Sequence, residues 1–334
     1  LVQSATEKYL FAHARTAFWY GLQQLPMEKG QKILLPEYIC EVVLHPLEDL
    51  GIQPVYYPVD EYFVPDWEVI EDIQNQEKVD AFLLVHYFGQ PQDIELARNF
   101  CDKDKLWLIE DNSHGHGGSL EGQPLGSFGD MGFSSPRKQL KSVSGGILYL
   151  HGKPLEPMKD EMPAYHVSNN KEKLRQIFRH FPRLKAGLRG LLKAEPDFSD
   201  PASFPEFRIG YFKADTDSTR RIHSENWPNH AELRREAWRS CSDFISGKGL
   251  RAVWDKPHPD SCPWVMPVYG VSKEDRLRWL HWGWKNGLDI FPWPTLPKQI
   301  LNSSSISTNR WNYLMCFPCL LYTSDAADEE ASVD

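Results

Sequence analysis

The feature that most constrains this chain is an alternation, repeated through its first third, of short apolar segments with stretches of helical periodicity. Lys32-Ile-Leu-Leu35, Pro54-Val-Tyr-Tyr57, Val79-Asp-Ala-Phe-Leu-Leu-Val85 and Leu106-Trp-Leu-Ile109 have the length and apolar content of buried strands. Between them Cys40–Leu50, Asp66–Gln76 and Asp93–Cys101 read as helices, and Gly51 closes the first. A strand that is apolar on both faces needs both faces covered. The pattern therefore implies an α/β fold, a parallel sheet with helices on both sides. Ahead of it, Tyr9, Leu10, Ala17, Phe18, Leu22 and Leu25 recur at helical spacing, so Ser4–Leu25 reads as one helix stopped by Pro26.

Beyond the glycine-rich stretch Gly115–Gly146 the pattern changes. Gly145-Gly146-Ile-Leu-Tyr-Leu150 reads as a strand. Lys171–Lys193 is basic and helix-permissive, which reads as a solvated helix face before a phosphate or RNA site. Ala194–Asn229 is polar and proline-rich and reads as a long active-site loop. From Ala231 the order is helix (to Ile245), strand (Trp264–Val268), helix (Lys273–Asn286) and strand (Leu288–Phe291), a small α+β unit.

Composition removes several function classes. The 334 residues carry 37 basic and 46 acidic side chains, a net charge of −9, which argues against a general nucleic-acid binder. No apolar run approaches the roughly 18 residues of a membrane span, and no signal-peptide pattern opens the sequence. Six scattered cysteines make neither a zinc ribbon nor a disulfide framework, and point to a reducing, cytoplasmic setting. The sequence opens on Leu1, and its native N-terminus is expected to be missing. Cys319-Leu-Leu-Tyr-Thr-Ser-Asp-Ala-Ala-Asp-Glu329 matches an in-frame translation of a sequencing adapter, so 319–334 is expected to be an artefact tail; a real acidic tail is the other reading. Four segments result: a large domain (1–160), a helical or loop connection (161–230), a small C-terminal domain (231–318) and the tail (319–334).

Ligands of open α/β sheets bind at strand ends. Val79–Val85 runs into His86-Tyr-Phe-Gly-Gln-Pro91, and Leu106–Ile109 into Glu110-Asp-Asn-Ser-His-Gly-His-Gly-Gly118. Gly126-Ser-Phe-Gly-Asp130 and Phe133-Ser-Ser-Pro-Arg-Lys138 follow. An acid at a buried strand tip with a lysine further on suits a cofactor that has a ring nitrogen and an aldehyde: the carboxylate keeps the nitrogen protonated and the lysine forms a Schiff base. On the residues alone, Asp111 reads equally well as a helix N-cap and Lys138 as a surface lysine. A metal site of His86, His114 and His116 lacks ligand-like spacing, so no metal is expected.

Taken together, these motifs, with Gly145-Gly146, Leu34-Leu-Pro-Glu-Tyr-Ile-Cys40 and Phe291-Pro-Trp-Pro294, resemble the DegT-like sugar aminotransferases. These are pyridoxal 5′-phosphate (PLP) enzymes of the aspartate-aminotransferase fold, type I. The similarity runs from about Ala12 to Pro294. It implies a large domain with a mostly parallel, mixed sheet, a small C-terminal α+β domain, and a homodimer with active sites at the subunit interface.

By that resemblance Lys138 is the Schiff-base lysine and proton shuttle, with Lys141 the competing candidate, and Asp111 pairs with the pyridine nitrogen. His114 stands where the family has glutamine near the ring hydroxyl, able to donate the same hydrogen bond or to titrate. Ser134 helps hold the phosphate, four residues before the lysine where many members have five. The first helix supplies the other phosphate contacts at Ala14, Arg15 and Thr16, Ala14 replacing a frequent glycine. Cys40 occupies the position of the aromatic ring that often covers the cofactor. Phe212 stands where an asparagine reaching the partner's phosphate is expected. The implied activity is transfer of an amino group from a donor such as glutamate to a keto sugar, nucleotide-linked, for polysaccharide or a small glycosylated product. The alternatives are a PLP-dependent sugar dehydratase, whose members replace the lysine, and a catalytically poor PLP-binding sensory or accessory protein. Trp264 and Trp293 are candidates to shape the acceptor site.

Overall fold

The computed structural model describes residues 7–140, 142–152, 162–166, 187, 195–204 and 208–319. Lys141, nearly all of the basic 171–193 run, and the 319–334 tail apart from Cys319 lie outside them.

Seven strands form the main sheet: β1 (Glu7–Phe11), β2 (Lys32–Pro36), β3 (Gln53–Tyr57), β4 (Ala81–Val85), β5 (Trp107–Asn112), β8 (Met131–Ser134) and β9 (Gly146–Leu150). The short β6 (Ser119–Leu120) and β7 (Gln123–Pro124) pair as a hairpin between β5 and β8. The order across the main sheet is β1-β9-β8-β5-β4-β2-β3. The pairs β2–β3, β2–β4, β4–β5 and β5–β8 are parallel, whereas β9 runs antiparallel to both β8 and β1. The mixed, mostly parallel sheet is therefore as expected. All five residues of β4 and all five of β9 are buried, as a sheet covered on both faces requires.

The connecting helices start and stop on local signals. Asp66 caps α3 (Trp67–Glu77) by accepting from Val69 N at 3.2 Å. Asp93 caps α4 (Ile94–Asp104) by accepting from Leu96 N at 2.8 Å. Gly51, at φ +69°, ends α2 (Leu44–Leu50).

Four expectations change. Ser4–Leu25 is not one helix: residues 7–11 are β1, and only Ala14–Leu22 forms α1. The pairing of β1 with β9, about 140 residues away, overrides the local periodicity. Cys40–Leu50 begins with a 3-10 turn, Glu41–Val43, before α2. The polar stretch 194–229 holds a helix, α6 (Thr216–Ser224), capped by Asp215, and the first turn of α7 (Trp227–Ile245); α5 is Pro136–Leu140. Leu288–Phe291 is not a strand, since only Phe291 bridges, to Cys316.

A second, antiparallel sheet has the order β10 (Arg251–Ala252), β11 (Val265–Tyr269), β12 (Leu314–Pro318). α7 and α8 (Lys273–Lys285) bury Trp238 and Trp279 against Met266, Met315 and Phe317, and Cys319 joins this core. The sheets meet beside the ends of β4 and β5, where Trp264 N donates to Phe88 O at 3.1 Å.

Candidate functional site

Asp111 lies near the C-terminal end of β5, in register with Phe133 of β8. After Ser134 the chain turns into α5, which carries Lys138. Parallel pairing thus sets the acid and the lysine on adjacent strand ends.

Asp111 is buried, and Oδ1 accepts from Ser113 N at 2.8 Å. Burial raises its pKa; the Ser113 hydrogen bonds and the charge of Lys138 pull the other way. A carboxylate in that state gains from any cationic N–H placed against it. The neighbouring Glu110 does structural work instead. It is fully buried and accepts from Phe128 N (2.5 Å), Gly129 N (2.6 Å), Gly126 N (3.1 Å) and His86 Nε2 (2.8 Å). His86 Nδ1 accepts from Gln92 N at 3.2 Å, so Nε2 carries the proton that faces Glu110.

His114 is buried and its ring is held on three sides. It stacks on Trp264 (4.7 Å between centroids) and on Phe88 (5.7 Å), and meets Trp293 edge-on at 4.5 Å. Phe88 adopts a left-handed backbone, φ +55°, uncommon for a bulky residue; its strain sits directly at the site. Gly89 follows at φ +88°, and a Cβ there would lie 2.7 Å from Cys262 O. His114 Nδ1 accepts from Phe88 N at 3.2 Å, leaving the ring proton on Nε2. Burial, and then the charge of Lys138, hold the imidazole well below its usual pKa. His114 is therefore a neutral donor and does not titrate near neutrality. The Lys138 ammonium sits 4.6 Å from the centroid of Trp264, so one indole contacts both the lysine and the histidine.

At the other end of the site α1 begins beside β9. Gly146 permits the approach: a Cβ there would lie 2.2 Å from His13 C. Thr16 is fully buried and His13 nearly so; among the described residues Thr16 Oγ1 and His13 Nδ1 have no hydrogen-bond partner. Arg15 is part-exposed, and its charge acts on His13 and His45.

Of the expected site residues, Asp111, His114 and Lys138 come together, and Ala14, Arg15 and Thr16 form the first turn of α1. Ser134 Oγ is engaged in a buried group, 2.9 Å from His116 Nδ1 and 3.5 Å from the Tyr149 hydroxyl. Cys40 precedes the 3-10 turn whose Glu41 N donates to Thr295 O at 2.9 Å, which sets it beside the segment that carries Trp293. Phe212 accepts from Ala12 N at 2.9 Å through its backbone, and its ring packs on Tyr165. The sequence reading gave no role to His13, Phe88 or Arg234. Arg234 of α7 is buried and donates to Gln139 O (2.5 Å), Cys319 O (2.9 Å) and Trp264 O (3.1 Å). It ties the lysine's helix to the second sheet. No short motif could have revealed that, because its three partners lie far apart in the chain.

Among the described residues no cluster of His, Cys, Asp and Glu is arranged to hold a metal, and no helix is long and apolar enough to cross a membrane.

Comparison with known proteins bears on the same region. Residues 11–177 match the DegT/DnrJ/EryC1/StrS aminotransferase family. The GDP-perosamine synthase of Vibrio cholerae is 26% identical over 141 residues, 41% of this chain and 38% of that protein. A dTDP-4-dehydro-2,3,6-trideoxy-D-glucose 4-aminotransferase of Saccharopolyspora spinosa is 28% identical over 148 residues, 43% of this chain and 38% of that one. The chain thus spans well under half the length of these relatives. In fold it is similar to Spr1654 of Streptococcus pneumoniae, solved in its PLP form: TM-score 0.70, 16% identity, 97% of this chain and 85% of that one covered.

Proposed function

The chain belongs to the DegT/DnrJ/EryC1/StrS aminotransferase family, and from that premise we propose that it is a PLP-dependent aminotransferase. It would move an amino group from a donor such as glutamate to the keto group of a nucleotide-linked sugar. The observation that carries this reading is the convergence of a buried carboxylate, a lysine ammonium and a neutral imidazole donor at two adjacent strand ends. The names of the two sequence relatives, a GDP-sugar and a dTDP-sugar enzyme, support the acceptor class.

The residues present fit the cofactor. The unpartnered Thr16 Oγ1 and His13 Nδ1 lie at the first turn of α1, where free amides and the helix dipole favour an anion. Asp111, raised by burial, suits a protonated ring nitrogen. When bound, PLP supplies an aldehyde that condenses with amines and a ring that withdraws electrons from the substrate carbon.

This chain's own residues do the rest. Asp111 holds the ring nitrogen's proton. Lys138 Nζ anchors the cofactor, then takes the proton from the substrate carbon and returns it. His114 presents Nε2–H to the ring hydroxyl as the family's glutamine would, without adding charge. Phe88, Trp264 and Trp293 enclose the His114 ring and keep water from it, which strengthens the hydrogen bond it can donate. Residues 1–160 and 231–318 would act as the large and small domains of a cytoplasmic homodimer.

The test is an absorbance spectrum with PLP, followed by borohydride reduction, peptide mapping and addition of glutamate. A visible band, cofactor fixed on Lys138 and bleaching by an amino donor are expected; Lys138→Ala should show no band. Folded protein without a band at saturating PLP refutes the reading.

A further inference from the structure

We propose that this chain grips the phosphate of its cofactor with a cup of side-chain donors, the neutral imidazole of His13 and the guanidinium of Arg137, added to the backbone amides at the start of α1. The proposal rests on the PLP reading above and assigns to it two residues that the family resemblance does not.

His13 is the N-cap residue of α1, in extended conformation, yet its side chain makes no capping bond. It is only 4% exposed, and among the described residues Nδ1 has no hydrogen-bond partner. One turn along, Thr16 Oγ1 is fully buried and equally unpartnered. Buried polar atoms left unpaired are rare and destabilising. Here two occur at the same end of a nine-residue helix, the end that attracts anions. A phosphate monoester offers the acceptors that Nδ1–H and Oγ–H need.

The positive charge comes from two directions. Arg137 N donates to Gly145 O at 3.4 Å and Gly145 N to Ala12 O at 2.8 Å, which sets the start of α5 beside the start of α1; burial, then the charges of Arg137 and Arg15, push the pKa of His13 down to about 3. The imidazole thus stays neutral and donates without competing with the guanidinium groups for the anion. Tyr165 packs edge-on against the ring at 5.0 Å and holds it in place. Because Arg137 immediately precedes Lys138, one short helix carries both the phosphate's counter-charge and the anchoring lysine. The hydrogen bonds that hold Ser134 to His116 and Tyr149 leave the α1 side as the main donor wall.

The test titrates the full chain with PLP and with pyridoxal, which lacks the phosphate, and follows visible absorbance. Inorganic phosphate is titrated in parallel by thermal melting. His13→Ala and Arg137→Gln should each weaken PLP about 10-fold or more, the worth of one charge-assisted hydrogen bond, and leave pyridoxal within about twofold. His13→Asn, which keeps a donor, should recover part of the loss. Should His13→Ala fail to fold, Arg137→Gln carries the same comparison. PLP and pyridoxal weakening together, or neither changing, overturns the proposal. Should the wild type bind neither pyridoxal nor PLP, the cofactor reading itself fails and the phosphate arm decides. A rise in melting temperature lost in both variants keeps the cup as a site for another phosphate ester; no rise in the wild type removes it.

Discussion

Replacing Glu110 by glutamine tests how the acid-bearing strand end is held. The carboxylate accepts four hydrogen bonds in a fully buried position. Glutamine is nearly isosteric but keeps one oxygen. That oxygen can serve the Phe128 and Gly129 amides, which now share Oε1 at 2.5 and 2.6 Å. The new amide nitrogen then faces Gly126 N–H and His86 Nε2–H, a donor against two donors. His86 cannot relieve this by moving its proton, since Nδ1 already accepts from Gln92 N. Hydrogen bonds to a charged group contribute about 1.5–3 kcal/mol each, so two broken at once should remove about 3–6 kcal/mol. Against a total of about 5–15 kcal/mol, that is a large fraction. The assay is urea unfolding followed by far-UV circular dichroism and by tryptophan fluorescence, with coincident transitions required before a free energy is taken. Glu77→Gln serves as control: its pair with Lys32 is half-exposed and should change stability by less than about 1 kcal/mol. A Glu110→Gln protein within about 1 kcal/mol of wild type would refute the reasoning.

Gly146→Ala drives a Cβ to 2.2 Å from the backbone of His13. Since backbone cannot rotate aside, a loss of about 1–3 kcal/mol is expected, with weaker PLP binding in the visible titration. Arg234→Met keeps the bulk and abandons three carbonyls; a drop of about 2–4 kcal/mol in urea unfolding is expected, the carbonyls being left unpaired. Acid should also weaken the fold. His13 and His114 have lowered pKa values in the folded state, so the unfolded chain binds more protons below about pH 6.5, and stability falls as pH falls through that value toward the folded pKa. For His13, folded pKa about 3, the loss is about 1.4 kcal/mol per pH unit, or roughly 2 kcal/mol by pH 5. Urea unfolding at pH 7.5 and pH 5 measures it, and His114→Gln should narrow the difference.

Much of this architecture was legible because its signals are local. The all-apolar β4 and the Asp93 cap announce themselves within ten residues, and the Asp111 and Lys138 motifs stand at strand ends where an α/β sheet binds ligands. Other features depend on distant pairing. Residues 7–11 look helical until β9 supplies a partner, and Leu288–Phe291 look extended although β12 takes the sheet position beside β11. Thr216–Ser224 was hidden by polarity: its outer face is charged, and only Ser218 and Ile222 are buried. The neutral state of His114 could not be read from its neighbours in sequence, because Phe88, Trp264, Trp293 and Lys138 come from separate parts of the chain.

The way β5 ends has a consequence for hydrogen exchange. Residues 108–112 are buried in a strand paired on both sides, between β4 and β8, so their amides should exchange only through large-scale opening. The chain leaves that ladder at Ser113. The boundary between slow and fast exchange should therefore fall between Asp111 and His114, with the carboxylate carried on the most protected backbone of the molecule and the imidazole on a turn that can reopen.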